Sequence, residues 1–549
     1  MIATRRYLPT RESMTGAFAV TRTSQSSLTS GTNRIRSPRH AHYSASLPAR
    51  RRWSASCSPR TLVSLSPRVS SRVGSPLTRA YRMRASASPP GRWAAPGPGG
   101  HRQASSITPP LRMSSSQIAL NRSRSTSAPN SSESDVSGPF DGRSPQPPWL
   151  DEEFLTPEFC VNPYRLYGRL LDDAPVAWSD KARAWLVCGF DDVVAGLSDV
   201  RLSSGRRIPA LASALSPEAR ERDARALDCM ARMMAFRDQP SHTRLRKIVS
   251  RAFTARRVAD LEHQVQELVD TLVGRFPRDG AFDLVAALTF PLPALVICRL
   301  LGIPEERLTD VRRWSDAVVA LLSSAVMTDD HADQARVAVE EADAYIRSLV
   351  DARRAEPQDD LLTAIARTGV DGDSLSPDEI TAMVILLFFA GFETTEGLIG
   401  NGVLALLADD GPRQSLAADP ELAPAVVEEV LRFDTSVHRQ SRIAVTPLTI
   451  SGVDIEAGDP VLFMIGAAGR DPRRFQRPDR FDPHRPDAGN VGFGHGIHFC
   501  LGAPLARLET RIALATLAKG RYPLHSAGQP TYGTLLAVRK PSALPVTLA

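Results

Sequence analysis

The spacing of apolar residues changes near Pro148. Beyond this point, apolar residues recur every three or four positions over several long stretches, a pattern that predicts α-helices with one buried face. Another helix is predicted directly after Cys500, in LGAPLARLETRIALATLA. The remaining predicted helices cover 217–234, 242–253, 259–275, 304–322, 329–354, 377–407 and 423–433.

Short segments with the composition of β-strands interrupt these helices. Strands are predicted around Ala177 and over 185–188, and a helix follows them. The stretch PLTISGVDIEAGDPVLF also indicates strands, with turns at Gly452 and Gly458. The fold class predicted for 148–549 is therefore mainly α, one large helical domain that carries small β-sheets.

Residues 1–147 lack this periodicity and differ in composition. The first 132 residues hold 21 Arg, no Lys and one acidic residue, whereas the remainder holds 46 Lys and Arg against 59 Asp and Glu. The net charge of +7 thus combines a basic segment with an acidic body. Because the segment is rich in Ser, Arg and Pro without an apolar pattern, we predict a disordered extension.

Three interpretations of this extension remain open. It resembles in composition an organellar transit peptide, but its length is unusual for one. It is also basic enough for a nucleic-acid-binding arm, although it has no aromatic interleaving or recognisable motif, and we expect no nucleic-acid partner. The third interpretation is an upstream extension from a misassigned start, with Met113 as a possible true start.

Hydropathy and cysteine usage indicate the cellular compartment. The longest apolar run, MVILLFFAGF from Met383, is about half the length that a membrane span requires, so we expect no span. Most of the cysteines are interpreted as inert, and no two of them form a CxxC pair, which is typical of a reducing compartment. We therefore expect a cytoplasmic protein. The six cysteines are at positions 57, 160, 188, 229, 298 and 500.

The segment VGFGHGIHFCLG, 491–502, places one cysteine in a Gly-rich loop before a predicted helix. A thiolate at this place is stabilised by the positive end of the helix dipole and by loop amides that can point at sulfur. Glycines let the backbone approach a flat, bulky group, which suits a haem iron with Cys500 as its axial ligand. A buried structural cysteine, or a zinc site that uses His495 and His498, is the alternative.

The segment FGHGIHFCLG, Phe493 to Gly502, resembles the haem-binding signature of the cytochromes P450, F-x-x-G-x-x-x-C-x-G. The resemblance extends over 148–549. It implies the cytochrome P450 fold, with haem b buried between the long central helix and the helix after the cysteine. It also implies that Cys500 is the axial ligand of the iron and that Phe493 and Gly494 lie beside the haem.

The segment FFAGFETTE, 388–396, resembles the A-G-x-[DE]-T-T motif on the central helix of this family. The resemblance implies that Ala390 and Gly391 leave room for dioxygen above the iron. It further implies that Thr394 hydrogen-bonds the bound oxygen and that Glu393 relays protons from solvent. Taken without the resemblance, the same residues suit a core helix whose hydroxyls bond to backbone carbonyls.

One further helical segment also resembles the family. His242 and Arg246 are four residues apart and face one direction on a helix. The resemblance assigns both to the haem propionates, together with Arg442 and His498. Taken alone, the first pair equally suits an ordinary basic helix face.

The segments EEVLRF and FQRPDRF contain the remaining motif. The resemblance implies a buried triad of Glu429, Arg432 and Arg480 that fixes the loop presenting the thiolate. Removing one member of such a triad would leave a buried charge unpaired. Gly469 stands where the family often has Asn, and we expect this difference to loosen the local loop without affecting catalysis.

The resemblance implies a haem-thiolate monooxygenase that hydroxylates or epoxidises a small-to-medium hydrophobic metabolite of secondary metabolism with O2 and two electrons. The chain matches no flavin- or nicotinamide-binding domain, so we expect a ferredoxin or flavodoxin, with its reductase, as donor. A basic stripe beside the haem-facing helix could steer that donor, or it is only a solvated helix face. The stripe comprises Lys247, Arg251, Arg256 and Arg257.

Two other functions are compatible with the sequence. One is a peroxide-dependent or non-oxygenating relative, and the other is a haem-thiolate sensor or binding protein without turnover. The pair of Glu393 and Thr394 favours dioxygen activation over both. The predicted pocket segments are mostly apolar, with His438 and Arg439 as candidate polar anchors for the substrate.

Overall fold

The computed structural model describes residues 143–323, 328–367, 369–370, 373–486, 489–520 and 523–548. The proposed N-terminal extension lies outside the described residues up to position 142. Residues just before the proposed boundary already contact the folded body. The backbone N–H of Trp178 donates to the carbonyl of Pro145 at 3.0 Å, and Arg143 forms an ion pair with Asp459.

Helices make up most of the described structure, which confirms the mainly α fold class. A π-helical turn at Val285–Thr289 directly precedes one of them. The α-helices, in chain order, are α1 Leu150–Glu153, α2 Pro157–Val161, α3 Tyr164–Asp173, α4 Phe190–Ser198, α5 Arg207–Ser213, α6 Pro217–Arg222, α7 Ala224–Arg232, α8 Ser241–Ala252, α9 Ala255–Asp260, α10 Glu262–Gly274, α11 Pro291–Leu301, α12 Leu308–Ser323, α13 Asp329–Ala355, α14 Leu361–Arg367, α15 Pro377–Ala408, α16 Asp410–Ala418, α17 Ala423–Phe433, α18 Ile465–Ala468 and α19 Ala503–Lys519.

The strands are short and form several small sheets. They are β1 Val176–Ser179, β2 Ala184–Val187, β3 Leu202–Ser203, β4 Phe282–Asp283, β5 Gly369–Val370, β6 Asp373–Ser374, β7 Gln440–Ala444, β8 Leu448–Ile450, β9 Val453–Ile455, β10 Pro460–Phe463, β11 Leu524–Ser526, β12 Thr531–Tyr532, β13 Pro541–Ala543 and β14 Pro545–Leu548. The largest sheet has the order β1-β2-β10-β7-β3, and within it β10 and β2 run parallel. Strand β14 joins β11 to β4.

Helix α15 forms the centre of the domain. Ser376 and Glu379 form a capping box at its start, with Pro377 at the first helical position, where a missing N–H costs nothing. The helix is long and apolar enough to cross a membrane, but 72% of its most apolar window is buried inside the domain. It packs against α7, α11, α12, α13, α17 and α19, as a core helix does.

Most predicted elements are present, with two interruptions. The helix predicted over 217–234 divides into α6 and α7 at Asp223. The buried carboxylate of Asp223 forms an ion pair with Arg222 at this interruption. The helix predicted over 259–275 begins earlier and is interrupted at Leu261. The turn glycines Gly452 and Gly458 adopt positive φ values of 81° and 98°.

Candidate active site

The loop that carries Cys500 is held by its own backbone. The N–H of Cys500 donates to the carbonyl of Phe493 at 3.0 Å, and the N–H of Gly494 donates to Val491 at 2.8 Å. Gly494 and Gly496 have φ values of 74° and 68°, in the left-handed region that favours glycine. The loop therefore folds back on itself just before α19 begins.

The sulfur of Cys500 lies among groups that stabilise a negative charge. Burial raises the pKa of the Cys500 thiol, whereas hydrogen bonds from the N–H groups of Gly502 and Ala503 lower it. The guanidinium of Arg246 acts in the same direction as these amides. Since these amides belong to the loop and the first turn of α19, the helix terminus itself provides the cradle for a thiolate.

A mostly apolar cavity adjoins this sulfur. It lies between α15 and the Cys500 loop, the two elements between which the sequence motifs predict the haem. Helix α15 contributes Leu387, Ala390, Gly391, Thr394, Thr395 and Leu398, and the loop with α19 contributes Phe493, His498, Cys500, Leu501, Gly502, Leu505, Ala506 and Glu509.

The two threonines of the α15 motif form hydrogen bonds along the helix. The hydroxyl of Thr394 donates to the carbonyl of Ala390 at 3.0 Å, and that of Thr395 donates to Gly391 at 3.2 Å. Helix α15 is continuous through this point. The Thr394 oxygen can still accept a hydrogen bond, so it remains available to a ligand in the cavity.

Glu393 points away from the cavity and is buried against other elements. Its carboxylate lies 3.0 Å from the Nζ of Lys540 and accepts a bond from the Ser315 hydroxyl at 3.2 Å. The same Nζ lies 2.7 Å from Glu396. Burial raises the pKa of Glu393 to about 7, while Lys540 opposes this rise. Lys540 was missed by the sequence analysis because it is far from α15 along the chain.

Buried nitrogen groups, several of them without a hydrogen-bond partner, lie around His498, which lines the cavity. The rings of His242 and His498 lie 4.3 Å apart between centroids. Among the described residues, neither ring nitrogen of His242 nor the Nη2 of Arg442 has a hydrogen-bond partner, although all are buried. Burial, followed by neighbouring positive charge, lowers the pKa of His242 to about 4 and that of His498 to about 3.

These features fit a haem. Buried donors without acceptors are unfavourable, and the two carboxylates of a haem would supply the missing acceptors. The cavity is mainly apolar, and its sulfur already faces two amides. His242 interacts electrostatically with Arg246 and Arg442, and His498 with Arg442 and His242, while Arg246 also lies near Cys500.

A zinc site has no support from the geometry. The Nδ1 of His495 lies 2.8 Å from the hydroxyl of Ser198, so this ring is engaged elsewhere. Across the part of the chain that the structure describes, no three His, Cys, Asp or Glu side chains are grouped so that they could hold a metal ion. The zinc alternative for Cys500 and His498 is therefore discarded.

The predicted buried triad exists with one different member. Arg432 is fully buried and donates to both oxygens of Glu429, at 2.8 and 2.7 Å. The prediction for Arg480 was wrong, because its side chain is exposed and only its backbone carbonyl accepts a bond from Arg432. The third member is Arg485, whose Nε lies 3.4 Å from Glu429 and whose side chain is 9% exposed.

Gly469 belongs to the same cluster. Its carbonyl accepts a hydrogen bond from the Nη1 of Arg432 at 2.8 Å. A Cβ at this position would lie 2.1 Å from the backbone oxygen of Arg432. Glycine here permits a close approach of two backbone segments.

The two candidate polar anchors for the substrate lie in different places. His438 is buried beside Tyr167 and Tyr164, whose hydroxyls are 3.1 and 3.4 Å from its ring nitrogens, and it does not line the cavity at Cys500. Arg439 lines a second cavity. The prediction for His438 was therefore wrong, because its ring belongs to a buried hydrogen-bonded cluster.

Comparison with known proteins identifies relatives of this chain. The family model described as Cytochrome P450 matches residues 402–519. Vitamin D(3) 25-hydroxylase of Pseudonocardia autotrophica is 41% identical over 398 residues, 71% of this chain and 94% of the relative. Cytochrome P450 monooxygenase PikC of Streptomyces venezuelae is 41% identical over 383 residues, 68% of this chain and 88% of the relative.

Solved structures agree with these relatives. The structure of P450BioI in complex with hexadec-9Z-enoic acid ligated acyl carrier protein superposes with a TM-score of 0.65 and 31% sequence identity. The match covers 72% of this chain and 99% of that one. The similarity thus extends over the whole of the other molecule's fold.

The revised triad makes a direct prediction. Arg485→Gln should lower the free energy of unfolding by about 1–3 kcal/mol, since it removes a charged partner from the buried Glu429. Arg480→Gln should change it by less than about 0.5 kcal/mol, because that side chain is in solvent. Thermal unfolding of the haem-loaded variants measures both, and equal losses would contradict the assignment of Arg485.

Proposed function

The chain belongs to the cytochrome P450 family, and on this premise we propose that it inserts one oxygen atom of O2 into a small-to-medium apolar metabolite, by hydroxylation or epoxidation. It is a haem-thiolate monooxygenase and thus an oxidoreductase. The observation that carries the proposal is the sulfur of Cys500, held by two N–H groups beside a cavity that Ala390, Gly391 and Thr394 also line.

The residues of the Cys500 loop and four basic side chains are proposed to hold haem b. Cys500 binds the iron through its thiolate, and Phe493 and Gly494 shape the loop against the haem. His242, Arg246, Arg442 and His498 bind the propionates. When bound, a haem with an axial thiolate supplies O2 activation that side chains alone do not provide.

Proton supply is proposed for the α15 motif. Thr394 lies on the cavity wall, where its hydroxyl can exchange the carbonyl of Ala390 for a ligand. Glu393 lies behind the wall, and its pKa of about 7 lets it hold or release a proton near neutral pH. Lys540 favours the ionised carboxylate, so it restrains proton uptake by Glu393.

A ferredoxin or flavodoxin, itself reduced by a reductase, is the proposed electron donor. Lys247 and Arg251 are exposed on α8, whereas His242 of the same helix is buried toward the cavity. Ile497 and Phe499, in the Cys500 loop, are 39% and 41% exposed. A basic surface with exposed apolar side chains suits an acidic protein that docks near the thiolate.

The presence of both Glu393 and Thr394 supports the O2-dependent route over a peroxide-dependent relative or a sensor without turnover. The cysteines that the structure describes are all free thiols, which supports the proposed cytoplasmic location, and fractionation of the native host tests it.

The thiolate ligand is tested by replacing Cys500. The reduced, CO-bound parent should show the red-shifted Soret band of a haem-thiolate protein, and Cys500→Ser should lose it because a hydroxyl does not replace the thiolate. Cys160→Ser, a half-buried thiol in α2, is the matched control and should keep the band. A parent that retains haem but lacks this band would refute the function.

The donor surface is tested by reversing charge. The double variant Lys247→Glu/Arg251→Glu should lower kcat/KM for the ferredoxin by about tenfold or more at low salt, and by less at high salt, because screening weakens the attraction. Peroxide-driven product formation should not change. Arg165→Glu, an exposed residue of α3, is the control, and an equal loss there would contradict a specific docking surface.

The proton path predicts a pH dependence. Below pH about 7, Glu393 is protonated and can donate; above it, the carboxylate is ionised beside Lys540, so product formation should fall as pH rises through this value. Glu393→Gln should lower turnover about tenfold or more and remove this fall. Glu396→Gln should move the fall to lower pH, because Lys540 then pairs with Glu393 alone.

Turnover of the haem-loaded variants, measured as product formed with saturating reduced ferredoxin at each pH, checks these outcomes. An unchanged pH profile in Glu393→Gln would contradict the role of this carboxyl group.

A further inference from the structure

A second ion pair joins α17 to α19, one residue away from the buried Glu429. The Nε and the Nη2 of Arg507 each donate to one carboxylate oxygen of Glu428. A guanidinium that is bound to a carboxylate by two parallel bonds has a fixed orientation. The Glu428–Arg507 pair therefore holds the head group of Arg507 in one place, although this side chain is 39% exposed.

The guanidinium of Arg507 lies over the ring of Phe493. Its Cζ is 4.5 Å from the ring centroid, which is the distance of a cation–π contact. Phe493 lines the cavity at Cys500, and its carbonyl accepts a hydrogen bond from the N–H of Cys500 at 3.0 Å. Arg507 thus contacts the residue whose backbone holds the cysteine.

Glu428 reaches the Cys500 loop by another route as well. Its carboxylate accepts a hydrogen bond from the Nδ2 of Asn490 at 2.9 Å, and the Oδ1 of Asn490 accepts one from the N–H of Gly492 at 3.0 Å. Gly492 and Phe493 are consecutive residues of the loop. One carboxylate on α17 therefore fixes the loop twice, through the backbone of Gly492 and, by way of Arg507, through the ring of Phe493.

The charge of Arg507 also acts on the sulfur. Burial raises the pKa of the Cys500 thiol, and Arg507 is among the groups that lower it. Reduction of a thiolate-bound iron adds one negative charge, so a positive charge beside the thiolate favours the reduced state. The carboxylate of Glu428 opposes this effect, because it balances the charge of the guanidinium that it binds.

We propose that Arg507 is a positioning residue for the Cys500 loop, and that its charge, balanced by Glu428, sets the reduction potential of the haem. Groups that orient a metal ligand from behind it commonly tune the metal. The proposal rests on the proposed function, because it requires haem bound through Cys500. The contrasting interpretation is an ordinary ion pair between two helices, which has no effect on the iron.

The test is a spectroelectrochemical titration of the haem-loaded, substrate-free enzyme at low salt. Arg507→Gln removes the positive charge and leaves Glu428 unbalanced, so the ratio of ferrous to ferric haem at a fixed potential should fall about threefold or more. Glu428→Gln leaves Arg507 unbalanced, so the ratio should rise by about the same factor. Both shifts should become smaller at high salt, since Arg507 is partly exposed.

Two control variants complete the experiment. Arg507→Lys keeps the positive charge and should recover most of the fall that Arg507→Gln causes. Arg511→Gln breaks a comparable pair one turn further along α19, where Arg511 lies 3.0 Å from Glu262, and should change the ratio by less than about 1.5-fold.

The opposite signs separate a role of charge from a merely structural one, because loosening the loop would shift both variants in the same direction. Shifts in the same direction, a missing shift in either variant, no recovery in Arg507→Lys or an equal shift in Arg511→Gln would overturn the proposal. If Arg507→Gln does not retain haem, the rise in Glu428→Gln decides the outcome.

The CO-bound spectrum of the parent distinguishes failure of this proposal from failure of the function. A parent with the red-shifted band whose potential does not respond to Glu428→Gln refutes only the role of the Glu428–Arg507 pair. A parent without that band refutes the function on which the proposal rests.

Discussion

The site depends on a sulfur atom held by backbone N–H groups at the start of a helix. Cys500 can take this position because the loop before it turns back on itself at Gly494 and Gly496, both at positive φ. The amides of Gly502 and Ala503 then point at the sulfur and oppose the effect of burial on its charge. Helix α19 packs on α15 and α17, so the sulfur is tied to the core of the domain.

Buried polar groups in this structure differ in whether the protein supplies their partners. The buried Glu429 is satisfied by Arg432, by Arg485 and by the N–H of Asp482, and such a cluster fixes the chain without involving a ligand. The rings and guanidinium groups around the cavity are different, because their donors lack acceptors among the described residues. Buried donors that lack an acceptor in the protein indicate where anionic groups of other molecules bind.

The sequence predicted the local chemistry more completely than the contacts between distant segments. Cys500, Thr394 and the pair His242/Arg246 are identified by short motifs, since each motif holds its residues on one loop or one helix face. Arg480 was chosen over Arg485 because spacing alone does not show which arginine turns inward. Lys540 had no local signal.

The same limit applies to the fold. The helices over 329–354 and 377–407 were predicted closely because they are long and periodic. Helix α11 was missed because PLPALVICRLL is apolar on all sides and contains two prolines, so it has no amphipathic pattern. Helix α11 is buried against α15, which is distant along the chain. A short stretch of sequence does not show such a contact.

The last residues of the domain complete structures that begin much earlier. Strand β14 pairs with β4, and Lys540 supplies the positive charge beside two buried acids of α15. During synthesis, these acids and the edge of β4 are made well before their partners leave the ribosome. The central helix therefore reaches its final electrostatic state only after the segment around Lys540 has been made and has packed beside it.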